Sequence, residues 1–106
     1  MNIRFLEVAS VELDEAIEYY DRELPGLGKT FLAEVLAALD RIRRFPQGWH
    51  SLGKGVRRCR LRRFPYGLVY HVAEEGILIL AVAHTHRRPD YWRDRLGPER
   101  EDDGQS

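Results

Sequence analysis

The stretch that decides the fold runs from residue 56 to 85, VRRCRLRRFPYGLVYHVAEEGILILAVAHT. From Val56 the pattern has period two: Cys59 and Leu61 alternate with Arg58, Arg60 and Arg62. That is a strand with one face to bury and one strongly basic face. FPYG (64–67) predicts a tight reversal, with Pro65 suited to the first central position. YGLVYHV is the next strand and EEG the next turn. ILILAVAHT, beginning at Ile77, is apolar on both faces, as expected of a strand in the centre of a sheet. Short connections between consecutive strands predict an antiparallel meander whose last strand is flanked on both sides and covered by helices.

Working outward, NIRFLEV (2–8) has the length and composition of a strand, with Ile3 and Phe5 on one face. Ser10 then offers an N-cap, and Glu12, Asp14 and Glu15 follow where acids favour the positive end of a helix. Leu13, Ala16, Ile17, Tyr20 and Leu24 recur at helical spacing, predicting an amphipathic helix over 11–24. LPGLG (24–28) breaks it, Pro25, Gly26 and Gly28 being turn formers. Phe31, Leu32, Val35, Ala38, Leu39 and Ile42 line a second helix, with Phe45 continuing the stripe until Pro46 and Gly48 end it. So short a connection makes the two helices an antiparallel hairpin. QGWHSLGKG (47–55) reads as a loop, and a short helix or turn at 90–96 follows Pro89. The expected fold class is α+β: a strand, an antiparallel helical hairpin, then a three-stranded antiparallel meander (β-α-α-β-β-β), with the helices packed on one sheet face. A single domain over 1–96 precedes GPEREDDGQS (97–106), whose composition predicts a disordered tail.

A chain of 106 residues is one domain, large enough to bury a core without disulfide or metal staples. Its one cysteine, Cys59, has no partner for an internal disulfide, and alternation makes it buried and inert. MNIRFLEVAS has no apolar leader region and no run is long enough to span a bilayer, so a soluble cytoplasmic protein without membrane partners is expected. The 17 basic and 17 acidic side chains cancel, but they are segregated. Residues 1–24 carry seven acids against Arg4 and Arg22, whereas residues 41–63 carry nine basic residues and no acid. A concentrated basic patch attracts anionic partners unless the two halves neutralise each other across the fold.

Candidate chemistry concentrates in AHTHRRPDYW (83–92), where the apolar strand gives way to two histidines, two arginines, Tyr91 and Trp92. His84 and His86 share a strand face in this reading, so their imidazoles can act as a pair on a phosphate; equally, histidines at a strand end hydrogen-bond loop backbone and do no chemistry. Zinc is disfavoured: beyond His84 and His86 the strong ligands are His50, His71 and Cys59, with no C-x-x-C or H-x-x-x-H spacing. No metal and no cofactor is implied. The row Arg58, Arg60, Arg62 can track a nucleic-acid backbone with Trp49, Tyr66 or Trp92 stacking bases, receive the carboxylates of a protein partner, or keep an exposed sheet face soluble. Arg87, Arg88 and Tyr91 are residue types enriched in binding hot spots. Trp92 reads as core and Tyr91 as exposed, while Tyr19 and Tyr20 serve mainly packing, with Tyr20 on the apolar stripe.

The order of these elements, read with ELDEAIEYYDRELPGLGKTFLAEVLAALDRIRRFP, VRRCRLRRFPYGLVYHV and ILILAVAHTHRRPDYW, resembles the RelE/ParE superfamily of type II toxin–antitoxin toxins over residues 3–95. The tyrosine pair closing the first helix, the FPYGLVY strand and the H-x-x-R-x-P-x-Y-W ending carry the likeness. The resemblance implies one of two biochemistries on one scaffold. RelE-like members are metal-free endonucleases that cut messenger RNA on the ribosome; ParE-like members bind and inhibit DNA gyrase; both are neutralised by a cognate antitoxin. A RelE-like nuclease places basic residues where Arg58 and Arg60 stand, another near Thr85 and His86, a C-terminal tyrosine matching Tyr91, and an arginine where this chain has Gly67. As a nuclease the chain would use Arg58, Arg60, His84, His86 and Tyr91. As a binder it would use Arg58, Arg60, Arg62, His86, Arg87, Arg88 and Tyr91. The missing side chain at Gly67 favours the ParE-like branch, with the ribosome-dependent endonuclease as the alternative and an inactive relative as a third possibility.

Overall fold

A computed structural model describes residues 2–96. The expected tail at 97–106 lies outside the described residues. Strand β1 (Ile3–Phe5) leads directly into helix α1 (Glu7–Glu23), which is followed by helix α2 (Leu27–Arg44). Strands β2 (His50–Gly53), β3 (Val56–Arg60), β4 (Tyr66–Ala73) and β5 (Gly76–His84) come next, and a single 3-10 turn, Arg93–Arg95, closes the described chain. The sheet runs β1-β5-β4-β3-β2, with β1 parallel to β5 and the other neighbours antiparallel. The α+β class and the meander over 56–84 are as the sequence predicts, and β5 is flanked by β1 and β4. Among the described residues no helix is long and apolar enough to cross a membrane.

Four local expectations change. Residues 47–55 are not all loop: His50 pairs with Arg58 and Ser51 with Arg57, making a fifth strand. Its four residues, His-Ser-Leu-Gly, are mostly exposed at the sheet edge and so carry no alternating apolar signal. Helix α1 starts at Glu7, not after Ser10. Leu6 donates its N–H to the Ile79 carbonyl as the last contact of the strand region, and its own carbonyl accepts the Ser10 N–H (both 3.0 Å) as the first helical bond. Sheet pairing therefore hands over to the helix without a polar cap. Gly28 is a buried residue of α2, not part of the break, because a Cβ there would sit 2.7 Å from the Ile17 carbonyl oxygen of α1. The helix crossing is that close, and Asp21 Oδ1 completes it by accepting the Gly26 and Gly28 N–H groups at 2.9 and 3.3 Å. The reversal after β3 spans Leu61–Pro65 and is closed by the Leu61 N–H on the Tyr66 carbonyl at 2.9 Å.

The helical stripe and the inner sheet face make the main core, with Phe31, Val35, Ala38 and Ile42 against Cys59, Leu68, Tyr70 and Ile79. Leu24 and Phe45, read as stripe members, are exposed by more than half, each lying one residue past its helix where the period no longer aims it inward. The outer sheet face has its own smaller core: Trp92 folds back onto Val56, Val69, Leu80 and Ala81. This second layer is why β4 and β5 are apolar on both sides, and it anchors the C-terminal segment over the sheet.

Candidate functional site

The alternation of β3 puts Arg58 and Arg60 on the face of Val56, opposite the helices, while Cys59 turns inward and is 1% exposed. Burial pushes the Cys59 thiol up, so it is neither a nucleophile nor a ready ligand. Arg58 lies flat across Gly67 of β4: a Cβ at that glycine would be 3.1 Å from Arg58 Cγ and 3.3 Å from Cδ. The Nε of Arg58 is buried and, among the described residues, has no hydrogen-bond partner. Beside it opens a cavity of about 280 Å³ whose walls include Arg58, Arg60, Gly67, His84, Arg87, Arg88, Tyr91 and Trp92. Six of the residues singled out from sequence therefore do converge.

Arg62 lies outside that cavity. It joins Arg58, Arg60, Arg41, Trp49 and His50 around a neighbouring one of about 460 Å³. Arg41 braces the corner, donating from Nη2 to the Arg60 carbonyl at 3.0 Å, and Trp49 donates its indole N–H to the Arg41 carbonyl at 3.2 Å. Among the described residues no ion pair involves Arg58, Arg60, Arg62, Arg87 or Arg88. The acids of the N-terminal half do not neutralise this row. Neighbouring Arg63 is spent differently, paired with Glu34 at 3.2 Å. Glu34 also accepts the N–H groups of Arg62 and Arg63 at 3.1 and 3.3 Å. Burial would raise the Glu34 carboxyl, but these bonds outweigh it and hold the group below its ordinary range.

Two of the groups that would move protons, His84 Nδ1 and the Tyr91 hydroxyl, are engaged, whereas the His86 ring is exposed beside that of His84. His84 ends β5, and His86 belongs to the turn beyond, so the two do not share a strand face; a turn brings their rings to 5.1 Å. His84 Nδ1 accepts the His86 backbone N–H at 3.0 Å, and its ring lies edge-on to Tyr66 at 5.0 Å. Tyr91 is half-buried instead of exposed. Its hydroxyl donates to Glu12 Oε2 at 3.0 Å, and burial, then the negative charge and hydrogen bond of Glu12, push the phenol up to about 12. The Arg87 guanidinium sits 3.8 Å from the centre of the Tyr91 ring. His71 and Cys59 are buried, and among the described residues no group of three or more His, Cys, Asp or Glu side chains comes together.

Glu12 and Arg95 are the functional-site residues that sequence reasoning missed. Glu12 reaches from α1 to the edge of β5 beyond the end of β1, where its Oε1 accepts the Val82 N–H at 2.9 Å. Arg95 clamps it with Nη1 on Oε1 at 3.0 Å and Nη2 on Oε2 at 2.8 Å, while Nη1 also donates to the Leu80 carbonyl at 2.9 Å. The pair substitutes for the strand that β1 is too short to provide and fixes the segment bearing Arg87, Arg88 and Tyr91. No local spacing signals it, since the partners are about 80 residues apart.

A third cavity, of about 630 Å³, lies between α1 and the ends of β4 and β5. Tyr20 packs there within an aromatic cluster, 5.2 Å from Phe31 and 4.9 Å from Phe64, whereas Tyr19 meets its edge at 5.1 Å and stays 49% exposed. Only Tyr20 is chiefly a packing residue.

Residues 3–89 match the family model described as the ParE toxin of the type II toxin–antitoxin system parDE. The chain is 34% identical over 80 residues to Toxin ParE2 of two Mycobacterium tuberculosis strains, CDC 1551 / Oshkosh and ATCC 25618 / H37Rv, covering 74% of this chain and 76% of the relative. It also superposes on a solved chain of the chromosomal ParDE toxin–antitoxin system from P. aeruginosa with a TM-score of 0.69 at 22% identity, covering 79% of this chain and 95% of that one. At that identity the last match speaks for the fold.

Proposed function

The chain belongs to the ParE toxin family of type II toxin–antitoxin systems, and we propose that it arrests growth in the cytoplasm by binding a macromolecular target, DNA gyrase, and is held inactive by a cognate antitoxin. The observation that carries this reading is the combination in one cavity of unpaired arginines with proton-transfer groups that are already committed. Arg58, Arg60, Arg87 and Arg88 have no ion pair among the described residues, while Tyr91 is bound to Glu12 and His84 Nδ1 to backbone. Metal-free RNA cleavage needs a base for the 2′-hydroxyl and an acid for the leaving oxygen. A phenol pushed up to about 12 is a poor donor and a poorer base at neutral pH. Gly67 contributes no charge to a phosphorane, and its bare face is filled by the Arg58 stem. Unpaired arginines beside a Tyr91 hydroxyl and a His84 Nδ1 that are already bonded suit recognition.

The test adds purified protein to a gyrase supercoiling reaction and, separately, to a translating extract. Inhibited supercoiling with intact messenger RNA is the expected pair of results. Cleaved messenger RNA that Arg60→Ala protects overturns the reading in favour of the endonuclease.

A further inference from the structure

The charges left unpaired lie on opposite sides of the sheet. Helix α1 turns Ala9 and Ala16 into the core on the inner sheet face, so Val11, Asp14 and Glu15 are exposed on the far side of the helical layer. Arg58 and Arg60 stand on the outer sheet face, and Arg88 lines the same cavity. Among the described residues Asp14 and Glu15 make no ion pair, and neither do Arg58, Arg60 or Arg88. The packed helices and sheet separate the two sets, so they cannot neutralise each other within one molecule.

The acidic side is shaped to take a cation. A cavity of about 510 Å³ opens along α1, with Val11 and Ile17 as apolar wall and Asp14, Glu15 and Glu18 among its acids. An arginine suits such a wall, its methylene stem covering apolar surface while its guanidinium binds a carboxylate bidentately. Arg22 lies 3.5 Å from Glu18, but both side chains are largely exposed, so that pair is weak and exchangeable. The spacings also agree. Asp14 and Glu18 are four residues apart on a helix, about 6 Å along its axis. Arg58 and Arg60 are two residues apart on a strand, about 6.6 Å.

We propose that copies of this chain associate face to back, the acidic face of α1 in one copy docking on Arg58, Arg60 and Arg88 of the next. The charge pattern favours a second copy as the occupant. The 17 basic and 17 acidic side chains cancel, so two copies meet without net repulsion while their opposed faces attract. An acidic partner of another kind satisfies the arginines alone, whereas a second copy matches both faces. Each contact is heterologous and leaves one acidic and one basic face open, so further copies can add. Stacking also covers the arginine cavity of every copy but the last, which withdraws that surface from any other partner. The inference stands whichever target the toxin binds.

Sedimentation velocity on the full chain tests this from about 0.01 M to about 1 M salt, over which the Debye length falls from roughly 30 Å to 3 Å. In low salt the average mass should climb with concentration past two chains. In high salt it should return to the 12.4 kDa monomer, the association constant falling about tenfold or more. Asp14→Asn with Glu15→Gln, or Arg60→Gln with Arg88→Gln, should each leave a monomer in low salt. All four side chains are exposed, so both variants keep the fold, which circular dichroism checks. Mixed in equal amounts, the two variants should form a one-to-one complex and stop there, because one acidic and one basic face remain between them. A wild type that stays monomeric in low salt overturns the proposal. So does a wild-type complex that stops at two copies or survives high salt, and so do mixed variants that fail to pair.

Discussion

Replacing Glu12 with alanine tests whether the C-terminal segment is truly latched to α1. The carboxylate accepts four hydrogen bonds, from Val82, Tyr91 and both Nη atoms of Arg95. Its side chain keeps 12% of its surface exposed and that of Arg95 15%. Removing one partner of a buried ion pair costs about 3–5 kcal/mol, because the other charge is left without compensation. The residual exposure lets water reach Arg95, so the lower end, about 3 kcal/mol, is the figure expected here. For a domain near 100 residues each kcal/mol shifts Tm by roughly 4–8 °C, which makes the fall about 12–24 °C. Thermal and urea unfolding followed by circular dichroism would measure it. The double variant Glu12→Leu with Arg95→Met should recover a large part of the loss, since it removes both charges and keeps the volume. Glu12→Gln should also lower the Tyr91 titration toward its ordinary value by removing the negative charge, while burial continues to raise it. A loss under about 1 kcal/mol, typical of solvent-screened surface pairs, would refute the latch and with it the claim that Glu12 positions Arg87, Arg88 and Tyr91.

Other consequences follow from the same geometry. Spectrophotometric titration should find Tyr70 and Tyr91 ionising near 12, above the ordinary phenol value of 10. Because their folded values lie above the unfolded value of 10, the associated stability is complete below pH 10 and is lost as pH rises from 10 to about 12, so alkaline unfolding should fall in that window. Glu34 has the opposite sign: its lowered carboxyl stabilises the fold above its unfolded value and loses that contribution as pH falls through the folded one. Glu34→Gln should therefore flatten the acid limb of a pH–stability curve. Trp92→Ala should cost about 3–5 kcal/mol by emptying the outer core, and it should weaken any partner at the arginine cavity whose wall Trp92 forms. Gly28→Val should destabilise by about 1–3 kcal/mol through the clash with the Ile17 carbonyl, visible as an early thermal transition.

The sheet was legible because its information is local. Period-two alternation in Val56–Leu61 and a doubly apolar Ile77–Ala83 need only neighbours in sequence to be recognised. Strand β2 was hidden because an exposed edge strand needs no apolar face; its only demand is that His50–Gly53 lie alongside β3, and no residue type announces that. The start of α1 was misplaced for a related reason. A polar N-cap is one way to satisfy the first turn, but here the sheet positions the chain through Leu6 and Ile79, and Ser10 became an ordinary helix residue.

Reading the site met a different limit. Residue types identified the cations, but whether a guanidinium is spent or available depends on contacts that cross the whole chain. Arg57, Arg63 and Arg95 are as basic as Arg58, Arg60 and Arg62, yet the first group is consumed by Gln47 and the Trp49 carbonyl, by Glu34, and by Glu12. Gly67 shows the same thing in reverse. From sequence it is a lost charge; in the fold it is the surface on which Arg58 lies, and a side chain there would have to displace the Arg58 stem. Restoring an arginine at position 67 would therefore not simply add a missing catalytic group. It would move Arg58 as well, so whatever binds Arg58 and whatever chemistry an arginine at 67 would serve compete for one site.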